Sequence, residues 1–137
     1  MSVRHFATLF GAVFLLAGLS GFVPGLSPEH VHPGVAVTAS SRLALGLFPV
    51  NVLHNLVHLA FGVWGLVAAR SVGGSFAYAK GVAVIYALLT VMGLIPATAT
   101  TFGLVPIGGN DIWLHAVLAI VAGYFGFLHR ERTHARG

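Results

Sequence analysis

The sequence predicts an all-α fold, a transmembrane four-helix bundle. Three observations predict it. Charged residues make up 7% of the 137-residue chain and hydrophobic residues 57%, with a mean hydropathy of +0.92; a soluble domain is about a quarter charged. Four apolar runs approach the roughly 20 residues that a membrane span needs. Each run carries one stripe of small or polar side chains at helical spacing and is otherwise Leu, Val, Ile and Phe.

The elements follow in chain order within a single domain, 1–137. Backbone polar groups in lipid must be satisfied within the segment, so each span is expected to be a helix. The first span runs over 6–23. Arg4 before a short apolar core and "AGLSG" behind it would also suit a secretory signal; we read the segment as a retained span. Residues 24–48 hold prolines, serines and histidines and read as a loop. The second span covers 49–69 and the third 76–95. "TATTFGLVPIGGND", 98–111, reads as a second loop, with Asn110 or Asp111 as the helix cap, and the fourth span covers 112–128. Trp113 and Tyr78 fit anchors at the membrane interface.

Charge sets the orientation. Arg4, Arg70, Lys80, Arg130, Arg132 and Arg136 fall on one side and only Arg42 on the other, so the positive-inside rule puts both termini in the cytoplasm. His5, His129 and His134 lie among the cytoplasmic arginines. The net charge of +4 does not indicate nucleic-acid binding, because the basic residues flank apolar runs instead of forming a patch. The absence of cysteine removes disulfides, thiolate ligands and thiol nucleophiles and says nothing about compartment.

A short internal repeat points to two similar helical hairpins. "GLFPVN" precedes the second span and "GLVPIGGN" the fourth; aligning His58 with His115 places His54 opposite Asp111. Spans one and three both end in small residues and proline, "GLSGFVPG" and "VMGLIPAT". Hairpins in the same orientation would be related by an axis along the membrane normal.

Helical residues advance about 100° each, which puts Asn51, His54, Asn55 and His58 in one arc, continued by Gly62 and Gly65. The corresponding stripes are Ala7, Gly11, Gly18 and Gly21; Ala79, Ala83, Tyr86, Thr90 and Gly93; and Asp111, His115, Ala119, Ala122 and Gly126. In lipid the small stripe is the packing face, because apolar side chains gain nothing by leaving lipid for one another. At about 1.5 Å per residue, His54, His58 and His115 lie roughly 7, 13 and 6 Å below the outer ends of their spans. The outer half of the bundle should therefore hold one polar cluster, with an inner half packed by glycine and alanine.

Two histidines at i, i+4 can hold one metal ion from a single helical turn. A third from a neighbouring helix would complete a three-histidine set, with Asp111 ligating the ion or orienting an imidazole. Asn51, Asn55, Thr90 and Tyr86 would support the set, and Glu29, His30 and His32 in "PEHVHPG" are loop residues that could reach it. With no soft ligand nearby, the donors suit Zn²⁺ or Cu²⁺. The competing reading is that the cluster is interhelical hydrogen-bond glue in a structural or accessory subunit, each bond contributing about 0.6 kcal/mol or slightly more. A third reading is a haem-binding or quinone-linked redox protein; haem would use His54 or His58 with His115 as axial ligands. "HNLVH" is not the metalloprotease "HExxH", since Asn55 stands where that motif has its general base, and no catalytic residue is assigned.

"FPVNVLHNLVHLAFG" and "GLVPIGGNDIWLHAVLAIVAGYFG" together resemble a family of small four-span bacterial membrane proteins classed as a domain of unknown function, broadly similar to DoxX-like proteins in size and span count. The resemblance covers nearly the whole chain. It implies a four-helix bundle in a bacterial plasma membrane, with the lipid bilayer as partner, and supplies no activity; the glycine- and alanine-rich, lysine-poor composition fits a high-GC bacterium. A homo-oligomer or a larger membrane complex is a further expected partner.

Overall fold

Three of the four helices start where the sequence supplies a side-chain cap. In the computed structural model, which describes residues 1–131, Ser2 accepts from the His5 amide and opens α1, Val3–Ser20. Asn51 accepts from His54 N and opens α2, Val52–Ala68. Ser71 accepts from Gly74 N and opens α3, Val72–Leu94. Each cap satisfies one of the orphan donors of a first turn. The fourth helix, α4, Asn110–Gly123, starts differently and runs on into a π-helical turn, Tyr124–Leu128. Gly109, at φ 61°, precedes it and no side chain caps it. The expected cap at Asn110 or Asp111 is therefore incorrect, since both already lie inside the helix. The Asn110 amide instead donates to Leu47 O and accepts from Trp113 Nε1.

α1, α3 and the stretch Asn110–Leu128 are long and apolar enough to cross a membrane, while α2 is apolar but 17 residues long. The second span was expected to begin at Pro49. It begins later, because residues 42–50 form a small antiparallel hairpin of β1, Arg42–Ala44, and β2, Phe48–Val50, in which Pro49 faces Leu43. This hairpin, inside what the sequence reads as loop, is the only sheet among the described residues. α3 begins at Val72, before the expected Phe76, because Ser71 is available as its cap. Arg132, His134 and Arg136 lie outside the described residues.

The helices pack foremost in sequential pairs, α1 with α2 and α3 with α4, and the pairs join along α1–α3 and α2–α3. In the first pair the backbones touch: a Cβ on Gly11 would lie 2.9 Å from both Gly62 O and Leu66 N. In the second pair the seam is alanine-rich, with Ala79 and Ala122 fully buried and Ala83 nearly so. Small residues at the contact are how helices approach in lipid. The contacts repeat between the pairs. Gly21 packs on Asn55, and its counterpart Gly93 packs on Ile112, the counterpart of Asn55.

The bundle centre differs from expectation in its aromatics. Phe6, Phe14 and Phe125 are buried, with Phe6 stacked on Phe125 at 4.7 Å between ring centroids. Phenylalanine is thus split between core and outer face, whereas Leu16 and Ile120 are largely exposed. Tyr78 is 0% exposed and so is not an interface anchor; it packs edge-on against Trp64. Trp113 is exposed, as an anchor would be.

At the end carrying both described termini, Arg4 Nε donates to Ala69 O and Glu131 accepts from Val3 N at 2.6 Å. The carboxylate lies at the positive end of α1, where an anion is favoured.

Candidate metal centre

The opposite end of the bundle holds the polar cluster. His54 and His58 sit one turn apart on α2 and His115 on α4, each buried. One ligand nitrogen from each lies within 4.8 Å of the other two. Bonds of about 2.0–2.1 Å to a tetrahedral zinc would draw three nitrogens to spacings of roughly 3.3 Å, an adjustment within side-chain reach.

The tautomer of His54 follows from its surroundings. Its Nδ1 lies 3.0 Å from the carbonyl of Pro49, and a carbonyl can only accept, so Nδ1 carries the proton and Nε2 is left with a free lone pair. Fixing one imidazole nitrogen on a backbone carbonyl is the usual way in which a metal-binding histidine is oriented. The device is local: Pro49 is the middle residue of β2, five residues ahead of His54, and Asn51 fixes where the helix starts. The Asn51 side chain also donates to Val37 O and Leu104 O, pinning both outer loops to the helix that carries two of the histidines.

The other two imidazoles are not bound in this way. His58 Nε2 and both ring nitrogens of His115 are buried without a hydrogen-bond partner. Buried polar groups are ordinarily paired, and those that are not require a reason. The rings are held by aromatic packing instead. Phe14 meets His58 edge-on at 5.6 Å, Tyr86 meets His115 edge-on at 5.0 Å, and His54 meets His58 and His115 at 4.5 and 6.2 Å.

The remaining expected site residues divide. Asp111 is 1% exposed, and its Oδ2 lies 3.8 Å from His54 Nδ1. It stands outside the three-histidine group and against the protonated edge of His54, a position suited to orienting that ring. Tyr86 borders His115, with its hydroxyl buried and unpartnered. Asn55 is fully buried with neither amide atom bonded, and packs on Gly21, the residue that follows α1. Thr90 donates to Tyr86 O within its own helix and makes no bond to the cluster. Glu29 is exposed and pairs with Arg42 at 3.6 Å. His30 is exposed, its backbone held by Ser41. His32 Nε2 lies 3.0 Å from Arg42 O and 3.1 Å from Val50 O; both are acceptors, so this nitrogen is a donor spanning the two strands. None of these three belongs to the histidine group.

Two cavities flank the histidine pair of α2. One, of about 320 Å³, lies between α2, α3, α4 and the loop over residues 101–107; the other, of about 180 Å³, lies towards α1 and the β-hairpin and reaches Asp111. Sequence reasoning did not assign Phe14, Leu53, Leu89 or Ile107 to this region. Phe14 could have been found, because it falls on the α1 stripe between Gly11 and Gly18 at a position matching Tyr86 on α3.

No curated protein and no solved structure matches the chain. Residues 4–128 match DUF4383, described as a domain of unknown function. The chain, a helical membrane protein with a buried histidine cluster, belongs to the DUF4383 family.

Proposed function

We propose that this is a metal-binding integral membrane protein of four spans, whose site is His54, His58 and His115 in the outer half of the bundle. The observation that carries the reading is the convergence of three buried imidazoles from two helices, with three of their nitrogens lacking any partner. Three histidines leave a fourth coordination position open, and all-nitrogen donors suit Zn²⁺ or Cu²⁺. Asp111 acts on His54 from behind. The glue reading is disfavoured by a specific feature: among the described residues, none of the three imidazoles hydrogen-bonds another side chain of the cluster. The haem reading is disfavoured by the third imidazole: a bis-histidine haem uses two axial ligands, whereas His58 packs against His54 at 4.5 Å and completes a three-histidine group.

Elemental analysis of protein purified from membranes tests the proposal. Wild type should retain close to one equivalent of Zn or Cu after dialysis, and His58→Ala and His115→Ala should retain none. Equal metal content in all three would rule the site out.

The orientation proposed is both termini in the cytoplasm of a bacterial plasma membrane and the histidine site towards the outside. Arg4, Arg70 and Arg130 near one end of the bundle support it, with Arg42 near the other. A reporter enzyme fused after Gly137 should be active only in its cytoplasmic form. A periplasmic signal would invert the topology.

A further inference from the structure

The larger cavity beside the histidines has the character of a ligand site. Leu53, Val57, Leu89, Val105 and Ile107 line it, and its surface is almost wholly apolar. Its polar borders are few: His54, His58, His115, the Tyr86 ring edge and Thr101. The atoms left without partners, namely His58 Nε2, both nitrogens of His115 and the Tyr86 hydroxyl, belong to these bordering residues and lie just behind the apolar wall of the cavity. An apolar cavity with a few convergent polar groups is the usual form of a small-molecule site.

Charge and exposure limit what can enter. No acidic or basic side chain other than the imidazoles lines the cavity, so a guest entering from lipid through its apolar wall would have to be neutral, because a charge would be desolvated there before it met the ion. Val57 and Leu104 border the cavity and are 42% and 53% exposed. In a bilayer this rim is apolar and open to the membrane. The volume of about 320 Å³ stands at the lower end of the roughly 300–1,000 Å³ typical of ligand pockets. That fits one substituted ring better than a lipid chain. The head group follows from the site chemistry: a metal with three histidine ligands takes an oxygen in its fourth position.

We infer that the cavity admits a neutral, membrane-dissolved molecule with a single apolar ring and one hydroxyl or carbonyl oxygen, and delivers that oxygen to the metal. The inference rests on the three-histidine metal reading. The occupant reaches the ion between α2 and α3, past Val57, and not through the smaller cavity by the β-hairpin.

The test uses Co²⁺, whose visible bands report its ligands, with the full chain in lipid nanodiscs. The probes are 4-tert-butylphenol and tert-butylbenzene, which share an apolar body and differ in the oxygen. Val57→Trp and Val105→Trp fill the cavity without touching a histidine, and an unaltered Co²⁺ spectrum shows that each has folded. The expected result is a saturable band shift with the phenol, none with the hydrocarbon, and loss of at least tenfold in phenol affinity in both variants. A Co²⁺ spectrum that the phenol leaves unmoved overturns the inference and leaves the metal reading standing. A shift that survives both variants also overturns it, since the oxygen then arrives by another route. Failure to bind Co²⁺ at all removes the metal reading, and the inference with it.

Discussion

The two helical hairpins, α1–α2 and α3–α4, use one packing plan with different residues in it. Phe14 on α1 packs edge-on against His58 on α2, and the matching Tyr86 on α3 packs edge-on against the matching His115 on α4. One turn ahead of these histidines the first hairpin has His54 and the second Asp111. Along the seam the first uses Gly11, Gly62 and Gly65, with backbones in contact, and the second uses Ala83, Ala119 and Ala122, with backbones approaching closely at Gly126, against Lys80. The difference separates two proposed duties. The first hairpin would be a tight platform presenting two ligands from one helical turn. The second would contribute one ligand and a carboxylate beside His54. In the proposed site neither hairpin would hold the ion alone, so the site would depend on their association.

The largest effect should come from removing a ligand. His58→Ala or His115→Ala should weaken Zn²⁺ binding by on the order of a hundredfold or more, beyond the roughly 10–100-fold typical of outer-shell residues. Isothermal titration in detergent would measure it. Equal, small losses would mean that the two hairpins do not share an ion.

Next come the seams. Gly11→Leu forces a side chain into the backbone of α2 and should cost more than about 3 kcal/mol, above the usual 1–3 kcal/mol of overpacking. The matching Ala83→Leu, in a seam already spaced for a methyl group, should fall within that usual range. Reversible unfolding in mixed micelles compares them, and equal costs would remove the distinction between a touching and a spaced pair.

Asp111→Asn should weaken metal binding by about tenfold, the low end of outer-shell effects, while leaving the ligand count unchanged. A loss as large as that of His58→Ala would make Asp111 a ligand, and the 3.8 Å separation from His54 would then be a resting arrangement. The smallest effect belongs to Tyr86→Phe, which makes α3 resemble α1 at this position. Its hydroxyl has no partner, so metal affinity and melting temperature should change little. A tenfold loss of affinity would place that hydroxyl on the ion.

Much of the bundle was legible because burial follows helical spacing. Gly11 and Gly18 on α1, Gly21 just after it, and Ala79, Ala83 and Gly93 on α3, are all buried as the stripe predicts, and so are His54, His58 and His115. What the stripe could not show was which large residues share it. Tyr78 reads as an interface residue by type, but Gly65 opposite leaves space for its ring; a Cβ on Gly65 would come within 2.8 Å of the Tyr78 hydroxyl. That space is a property of two helices together. The β-hairpin escaped for a similar reason. Its three-residue strands are too short for a periodic signal and are held partly by His32, whose bonds to Arg42 O and Val50 O join residues far apart in sequence. The start of α4 was misplaced because Asn110 and Asp111 are good caps by type, yet the positive φ of Gly109 turns the chain into the helix before either is reached.

The central claim is that His54, His58 and His115 bind an ion together, and a thermal melt with Zn²⁺, Cu²⁺ or chelator reads it most directly. An ion at a hundredfold excess over its dissociation constant adds about 2.7 kcal/mol to the folded state. The account predicts that wild type melts higher with metal and lower with chelator, and that His58→Ala and His115→Ala melt at temperatures independent of both. A wild-type melt that neither metal nor chelator moves would contradict it, and the cluster would then be polar packing between two hairpins.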